Sequence, residues 1–328
     1  MNAQEYIASE LEALKKLKPP AVKPKDNKEM SDAIFTSLMS KKFRKYSVPE
    51  KNQEIIRSAI EKNVANNEPI KITWPFGGYK LWRFEEAPET DWAELFSIMH
   101  IAQWLKLVCS IYPKGVELTF WFDEVVIAQL NNIPQADLDK YQESFAGLLK
   151  FIQPRLPANL KFEIFLERSQ YESIEAFNSG LKIEMEKLKK VKEANPQSLS
   201  EAAIRSIEMN VKLTPEQSMD PLWREKVDLM HYAYYNLQKQ QNRMRPSYTT
   251  ANITVFSTFF EPSVIPIGTT KASIAKFWVG VGTLQKRGDS FIETILSITQ
   301  LEKVNAEWES IHIDGLDGKN FSRIRIIS

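Results

Sequence analysis

Nine residues in a row, Pro75-Phe76-Gly77-Gly78-Tyr79-Lys80-Leu81-Trp82-Arg83, combine backbone freedom, positive charge and aromatic surface. Glycines let backbone N–H groups approach an anion, and Lys80 and Arg83 supply charge that a phosphate or carboxylate would answer. Phe76 and Trp82 could wall the apolar part of a ligand. The pattern is not a Walker loop, because GxxxxGK[ST] is absent. The competing reading is a tight turn whose aromatics pack on a sheet and whose cations are solvated. Some forty residues on, Asp123 closes an alternating run, where a partly buried carboxylate can accept a proton or orient an amine. Capping a following helix is its alternative job. Glu167 and Arg168 close another such run and either face the same crevice or form a surface ion pair.

Other chemistry-bearing residues are scattered. His100 lies among apolar neighbours at helical spacing, His231 precedes Tyr232, Tyr234 and Tyr235, and His312 falls in a terminal strand-like run. No metal site and no Ser-His-Asp set follows from three such histidines. Lys271 and Lys276, near Trp278, are candidates for a Schiff-base amine only if desolvated; otherwise they line a wet face. The single cysteine, Cys109, sits within an apolar helical run and reads as a buried, inert thiol.

The elements that must position these groups are legible from periodicity. Ile70 to Trp74 alternate as a strand, which Pro75, lacking an N–H, is expected to stop. Asp91 and Glu94 have capping-box spacing ahead of a long helix. Its apolar residues from Trp92 to Tyr112 cover more than one face, and Pro113 and Gly115 end it. Val116 to Phe122 and Leu160 to Leu166 are further strands, with a helix from Asp137 to Pro154 between. This order predicts parallel β-α-β units, whose ligands bind beyond the strands' carboxyl ends. Both the glycine loop and Asp123 sit at such ends.

Upstream, helices are expected over residues 3–17, from an N-cap at Ser31 to the basic run KKFRK, and after Pro49. Downstream, 175–212 and 221–242 are helical, with KLKKVKE as a solvated face. Residues 252–260, 274–284, 290–301, 309–314 and 320–327 are strand-like, with Arg287-Gly288-Asp289 and Asp317-Gly318 as hairpin turns, predicting antiparallel strands. The fold class is therefore α/β: a Rossmann-like sheet with a parallel β-α-β core and a C-terminal antiparallel extension. The expected division is an N-terminal helix and linker over 1–30, the core with a helical insert over 31–250, and the strand-rich part over 251–328.

Composition narrows the function. Lys+Arg 43 against Asp+Glu 42 leaves a formal net charge of +1, unlike a generic nucleic-acid or membrane-surface binder. No stretch resembles a signal peptide or a membrane span, so a soluble, cytoplasmic protein is expected. No GxGxxG follows any strand, which argues against a dinucleotide cofactor.

The order of signals from about residue 31 to 166 resembles the isonitrile (isocyanide) synthase family, which includes the pyoverdine/dityrosine biosynthesis proteins. The matching pieces are Glu68-Pro69-Ile70, Pro75-Phe76 with Lys80, Pro88 with Asp91 and Glu94, Ile111-Tyr112-Pro113 with Gly115, Asp123, and Tyr141. Gly77-Gly78-Tyr79 stand where the family joins lysine directly to Pro-Phe, and Glu124 stands where glycine usually follows the strand-end Asp. Lys276-Phe277-Trp278-Val279-Gly280 occupies the place of a Thr-Pro-Trp-His-Gly segment, without its histidine. The resemblance implies an enzyme of small-molecule (secondary) metabolism, a transferase or lyase that condenses an amino-acid amine with the carbonyl of ribulose 5-phosphate. It implies no metal or nucleotide cofactor, and a downstream iron- and 2-oxoglutarate-dependent oxygenase. Asp123 and Lys80 would be catalytic, with Phe76, Gly77, Gly78, Trp82, Arg83, Glu167 and Arg168 binding substrate. The alternative is a divergent member that binds a ligand or protein without catalysis.

Overall fold

The computed structural model describes residues 1–19, 23–125, 128, 131–194, 253–256, 264–273 and 276–328, together with 216, 220–223, 225, 226, 229, 230 and 233. Three helices lead in: α1 (Ala3–Ala13), α2 (Asn27–Leu38) and α3 (Glu50–Ala65). Then follow β1 (Ile70–Phe76), α4 (Trp92–Cys109), β2 (Val116–Phe122), α5 (Gln135–Ile152), β3 (Leu160–Leu166) and α6 (Ile174–Ala194). Next come β4 (Ile253–Phe256), β5 (Val264–Pro266), β6 (Val281–Arg287) and β7 (Ser290–Leu296). The chain ends with a short α7 (Ile298–Leu301), β8 (Ala306–Ser310) and β9 (Arg323–Ile327).

Strands β1 to β5 form one parallel sheet in the order β3-β2-β1-β4-β5, and β6 to β9 form a separate sheet in the order β7-β6-β9-β8. The chain adds β2 and β3 on one side of β1 and then returns to add β4 and β5 on the other. That reversal makes the β1/β4 junction a topological switch point, where loops part and a crevice opens.

Period-2 alternation decides what each face carries. Trp74 and Phe76 align with Phe120 and Phe122, and the rings of Phe76, Phe120 and Phe122 meet Phe145 and Tyr141 of α5 at centroid distances of 5.1–6.4 Å. On the opposite face Trp121 stacks on Phe165 at 4.4 Å. Burial on both faces is the ordinary condition of a parallel sheet.

The α/β class stands, with four corrections of detail. Pro75 does not end β1: the strand runs to Phe76, with Pro75 opposite Trp121. Residues alternate which neighbour they bond in a parallel strand, and Phe76 and Ile70 bond toward β2, through Asp123 N–H and the Gly115 carbonyl. Pro75 therefore turns its missing donor toward β4, whose described register with β1 stops at Thr73. Second, β4 and β5 join the first sheet in parallel; β4 follows β3 through a long crossover, and no hairpin joins them. The second sheet is not purely antiparallel either, since β6 and β9 run parallel. Third, α2 starts earlier than Ser31, because Asp26 caps it by accepting Glu29 N–H at 2.8 Å. Ser31 lies inside, its hydroxyl bonded back to the Asn27 carbonyl. Fourth, the basic run 41–45 lies beyond the end of α2; Arg44 bridges to Ile267 at the edge of β5. The 221–242 helix expectation falls largely outside the described residues, as does His231.

Helix α4 is the wedge of the structure. It packs on the first sheet through β2 and β3 and on the second through β6 and β7. Fifteen of its eighteen residues are buried, the behaviour of a helix apolar all round. Gly282 of β6 makes the contact possible: a Cβ there would collide with the backbone of Trp92 and Ala93. Trp92 Nε1 donates to the Arg323 carbonyl at 2.8 Å, tying the helix start to β9. Helix α1 is seated too, with Tyr6 against Phe291 of β7 at 5.7 Å and Lys106 bonded to its last carbonyl, that of Ala13.

Candidate functional site

The carboxyl edge of the parallel sheet gathers the glycine loop, the residues after β2 and β3, and a segment from the second half of the chain. Gly77 and Gly78 follow β1 directly. Gly78 has φ +69°, and a Cβ on it would press on the Phe122 side chain at 3.3 Å; on Gly77 it would run into the Tyr79 ring. Both positions thus need glycine because the loop lies flat on its own aromatics. Phe277 and Trp278 close over it, at 5.1 and 5.7 Å from the Phe76 ring. The Leu81 N–H donates to the Trp278 carbonyl at 2.8 Å, and the Tyr79 hydroxyl bonds Trp278 and Asn131. Burial holds that phenol well above its ordinary pKa.

Lys80 points inward. Its side chain is 0% exposed, and its ammonium donates to Asp91 Oδ1 at 2.8 Å, to both Glu94 oxygens at 3.0 Å and to the Phe277 carbonyl at 3.1 Å. Asp91 and Glu94 are the capping box of α4, so the residues that start the helix also clamp the loop. Asp91 Oδ2 accepts Gly282 N–H at 3.2 Å, and Tyr141 reaches Glu94 Oε1 at 3.1 Å. Burial alone would lower the Lys80 pKa; the two carboxylates more than offset it, and the ammonium is held above its ordinary range. Burial, with Asp91 adding to it, lifts Glu94 to about 8 against the pull of Lys80.

Arg83 parts company with Lys80. It is exposed, its guanidinium 5.2 Å from the ring of Trp82, itself 38% exposed. The two cations expected to grip one anion therefore lie at different depths. Phe76 is buried within the aromatic core, so its ring is packed against neighbours instead of facing a void.

Asp123 extends the ladder by one bond, donating its N–H to the Phe76 carbonyl at 3.0 Å, and stands immediately before helical residues 124 and 125. It is nearly buried. Glu124 stitches the ends of β2 and β3 together. Its carboxylate accepts Glu167 N–H, Arg168 N–H and Arg168 Nε, each at 3.0 Å. Arg168 also reaches Asp139 at 3.3 Å, while Glu167 is fully buried and accepts the Tyr171 hydroxyl at 2.9 Å. Asp123, Glu124 and Glu167 thus bring three carboxylates to neighbouring strand ends, and Arg168 is the partner of Glu124 among them.

Sequence reasoning placed Asp123, Gly77, Gly78, Glu167 and Arg168 at this edge. It did not assign the Glu124 clamp, the second role of Asp91 and Glu94, or the Tyr79–Trp278–Asn131 contact. The first two had a signal, since an acid directly after a strand-end acid, and a lysine eleven residues before a capping box, are both visible in the chain. The third joins residues two hundred apart and has none.

The remaining candidates are structural or peripheral. His100 packs on Phe43 at 5.2 Å, and burial together with Lys45, Lys271 and Lys42 drives its pKa down to about 3, so the imidazole is neutral. His312 lies after β8, not within a strand, exposed and 3.2 Å from Asp314. Cys109 is buried, its thiol pushed up to about 12 by desolvation. Lys271 is exposed, and Lys276 lies 5.5 Å from the Trp278 ring. Among the described residues no cluster of His, Cys, Asp or Glu could hold a metal, and no helix is long and apolar enough to cross a membrane.

Compared by sequence, the chain matches no protein-family model and no curated protein. Among solved structures, the PvcA protein from Pseudomonas aeruginosa superimposes with a TM-score of 0.63 at 16% identity, covering 91% of this chain and 100% of its own. Tyrosyl-tRNA synthetase from Aeropyrum pernix matches at a TM-score of 0.30 and 13% identity, over 70% of this chain and 53% of its own, a likeness too low to carry an argument. Over nearly its whole length, then, this chain shares the α/β fold of PvcA as a remote structural relative.

Proposed function

We propose that the chain is an isonitrile-synthase-like enzyme of small-molecule metabolism, condensing an amino-acid amine with the carbonyl of a sugar phosphate. The observation that carries the reading is the assembly at the sheet edge: the Pro-Phe loop, the strand-end Asp123 and the Phe277-Trp278 segment lie together, although the sequence resemblance covers only the first half of the chain. The PvcA-like fold over 91% of the chain supports extending that resemblance to the second half.

In this reading the carboxylate-rich edge receives the ammonium group. Asp123 takes a proton from it, the freed amine nitrogen bonds to the sugar carbonyl carbon, and a second proton passes from that nitrogen to the carbonyl oxygen, making a hydroxyl. Asp123 then gives its proton to that hydroxyl, which leaves as water and leaves a protonated imine. Arg83, which is exposed, and Arg168, half-buried and already paired with Glu124, are the cations nearest this edge in the chain and the groups to meet the phosphate at the mouth. Lys80, expected as a catalyst, acts instead from within, holding the loop to α4 and to the Phe277 carbonyl. Gly77 and Gly78 set the loop's path, and Trp82 flanks the mouth.

Incubation of the purified protein with ribulose 5-phosphate and tyrosine or tryptophan tests the reaction. An isonitrile-bearing product by mass spectrometry, lost in Asp123→Asn, supports it; no product with any aromatic amino acid removes it. The sealing of Lys80, and Val279 in place of a histidine, favour a second reading, a binder without catalysis. Thermal-shift screening with sugar phosphates and amino acids separates the two, since a bound ligand stabilises by mass action even where no product forms.

A further inference from the structure

A cavity lies away from the sheet edge, between the turn at Glu85 and Glu86, the first residue of α4, and strands β8 and β9. We propose that it is a binding site for a small planar organic carboxylate. Its volume, about 380 Å³, falls within the range of roughly 300–1,000 Å³ that small-molecule pockets occupy. Neither Asp123 nor the glycine loop lines it, so the inference is independent of the function proposed above.

Charge selects an anion. Arg325 forms the floor and is neutralised by Glu86 and by Glu85, the latter at 2.6 Å. Arg323 shares Glu85 at 3.3 Å and leaves 48% of its side chain exposed. Lys319 is exposed and has no ion-pair partner among the described residues. Three cations thus face two acids. Burial and the nearby Asp91 push the Glu86 pKa upward, against the pull of Arg325.

Shape selects a flat ligand. The register of β8 and β9 sets Trp308 opposite Arg325, and the Arg323 and Arg325 guanidiniums lie 4.0 and 4.1 Å from its ring centroid. Trp308 lies on the edge strand β8 and is 42% exposed. A guanidinium stacked on an indole presents its planar fork to a carboxylate, which it binds in two parallel bonds. The wall is already rigid, because the Asn320 amide donates to the Glu86 carbonyl at 2.8 Å and the Thr90 carbonyl at 3.0 Å. Little ordering remains for a ligand to impose.

Calorimetric titration with indole-3-carboxylate, uncharged indole and inorganic phosphate tests the site on the full chain. The expected result is saturable binding of the carboxylate, no binding of indole, and weaker binding of phosphate. Lys319→Ala and Arg323→Ala should each weaken the carboxylate by about tenfold. Lys319 is exposed, so its variant reports on binding even if the Arg323 variant unfolds. Asp123→Asn should leave the affinity unchanged. The proposal falls if the carboxylate does not saturate, if Lys319→Ala binds as well as the unaltered chain, if phosphate binds as tightly, or if Asp123→Asn abolishes binding.

Discussion

Two ion clusters at the carboxyl ends of β1 to β3 use the same residue types to opposite ends. Around Lys80, one ammonium is shared by Asp91 and Glu94 with all three side chains at 0–1% exposure. Around Arg168, the arginine side chain is 37% exposed while that of its partner Glu124 is 2% exposed. The first cluster is sealed between α4 and the loop and acts as architecture. The second keeps its cation at the surface, where a ligand can compete for it. Read from sequence, Lys80 is catalytic and Arg168 substrate-binding, both facing one crevice; burial separates them.

That contrast can be broken most forcefully at Lys80. Lys80→Met leaves two carboxylates buried without their cation, and chemical denaturation should show a loss of about 3–5 kcal/mol. A loss below about 1 kcal/mol would mean the cluster is wetter than its geometry implies. Second in size is a pH effect at Glu94. Its folded pKa is raised to about 8, so the folded chain binds more protons than the unfolded one between the ordinary carboxylate range and that value. The stability from this group is full at acid pH and fades as pH rises toward 8. Thermal unfolding across that window should show the decline, and Glu94→Gln should flatten it; an equal slope in both proteins would assign the titration elsewhere.

Glu124→Ala strips a partner from two backbone N–H groups, at Glu167 and Arg168, and should lower stability by about 1–3 kcal/mol by denaturation. Smallest is Arg168→Ala, with a loss of no more than about 1 kcal/mol that shrinks further in high salt. If Arg168→Ala proved the more damaging of these two, the backbone clamp would be the lesser part of that cluster.

Much of the scaffold was legible because it rests on local pattern. Ile70, Val116 and Leu160 begin strands where alternation begins, and Asp91 with Glu94 caps α4 as their spacing requires. The site was half legible. Asp123 and the glycines announce themselves by falling at strand ends. The fate of Lys80 does not, since whether a lysine faces water or a helix cap depends on a carbonyl at Phe277, far along the chain. Pro75 misled for a related reason: a missing donor matters only on the side where a neighbour waits for it. The parallel entry of β4 was hidden by the length of its crossover, and Ser31 by a better cap five residues earlier.

Because α4 is gripped by both sheets, it leaves the ribosome long before its second partner exists. More than 170 residues separate Cys109 from Val281. Throughout that interval one apolar flank of the helix stands naked, a target for holdases and for self-association. Fragments ending before β6 should therefore be insoluble, and supplying residues 276–328 in trans should rescue them.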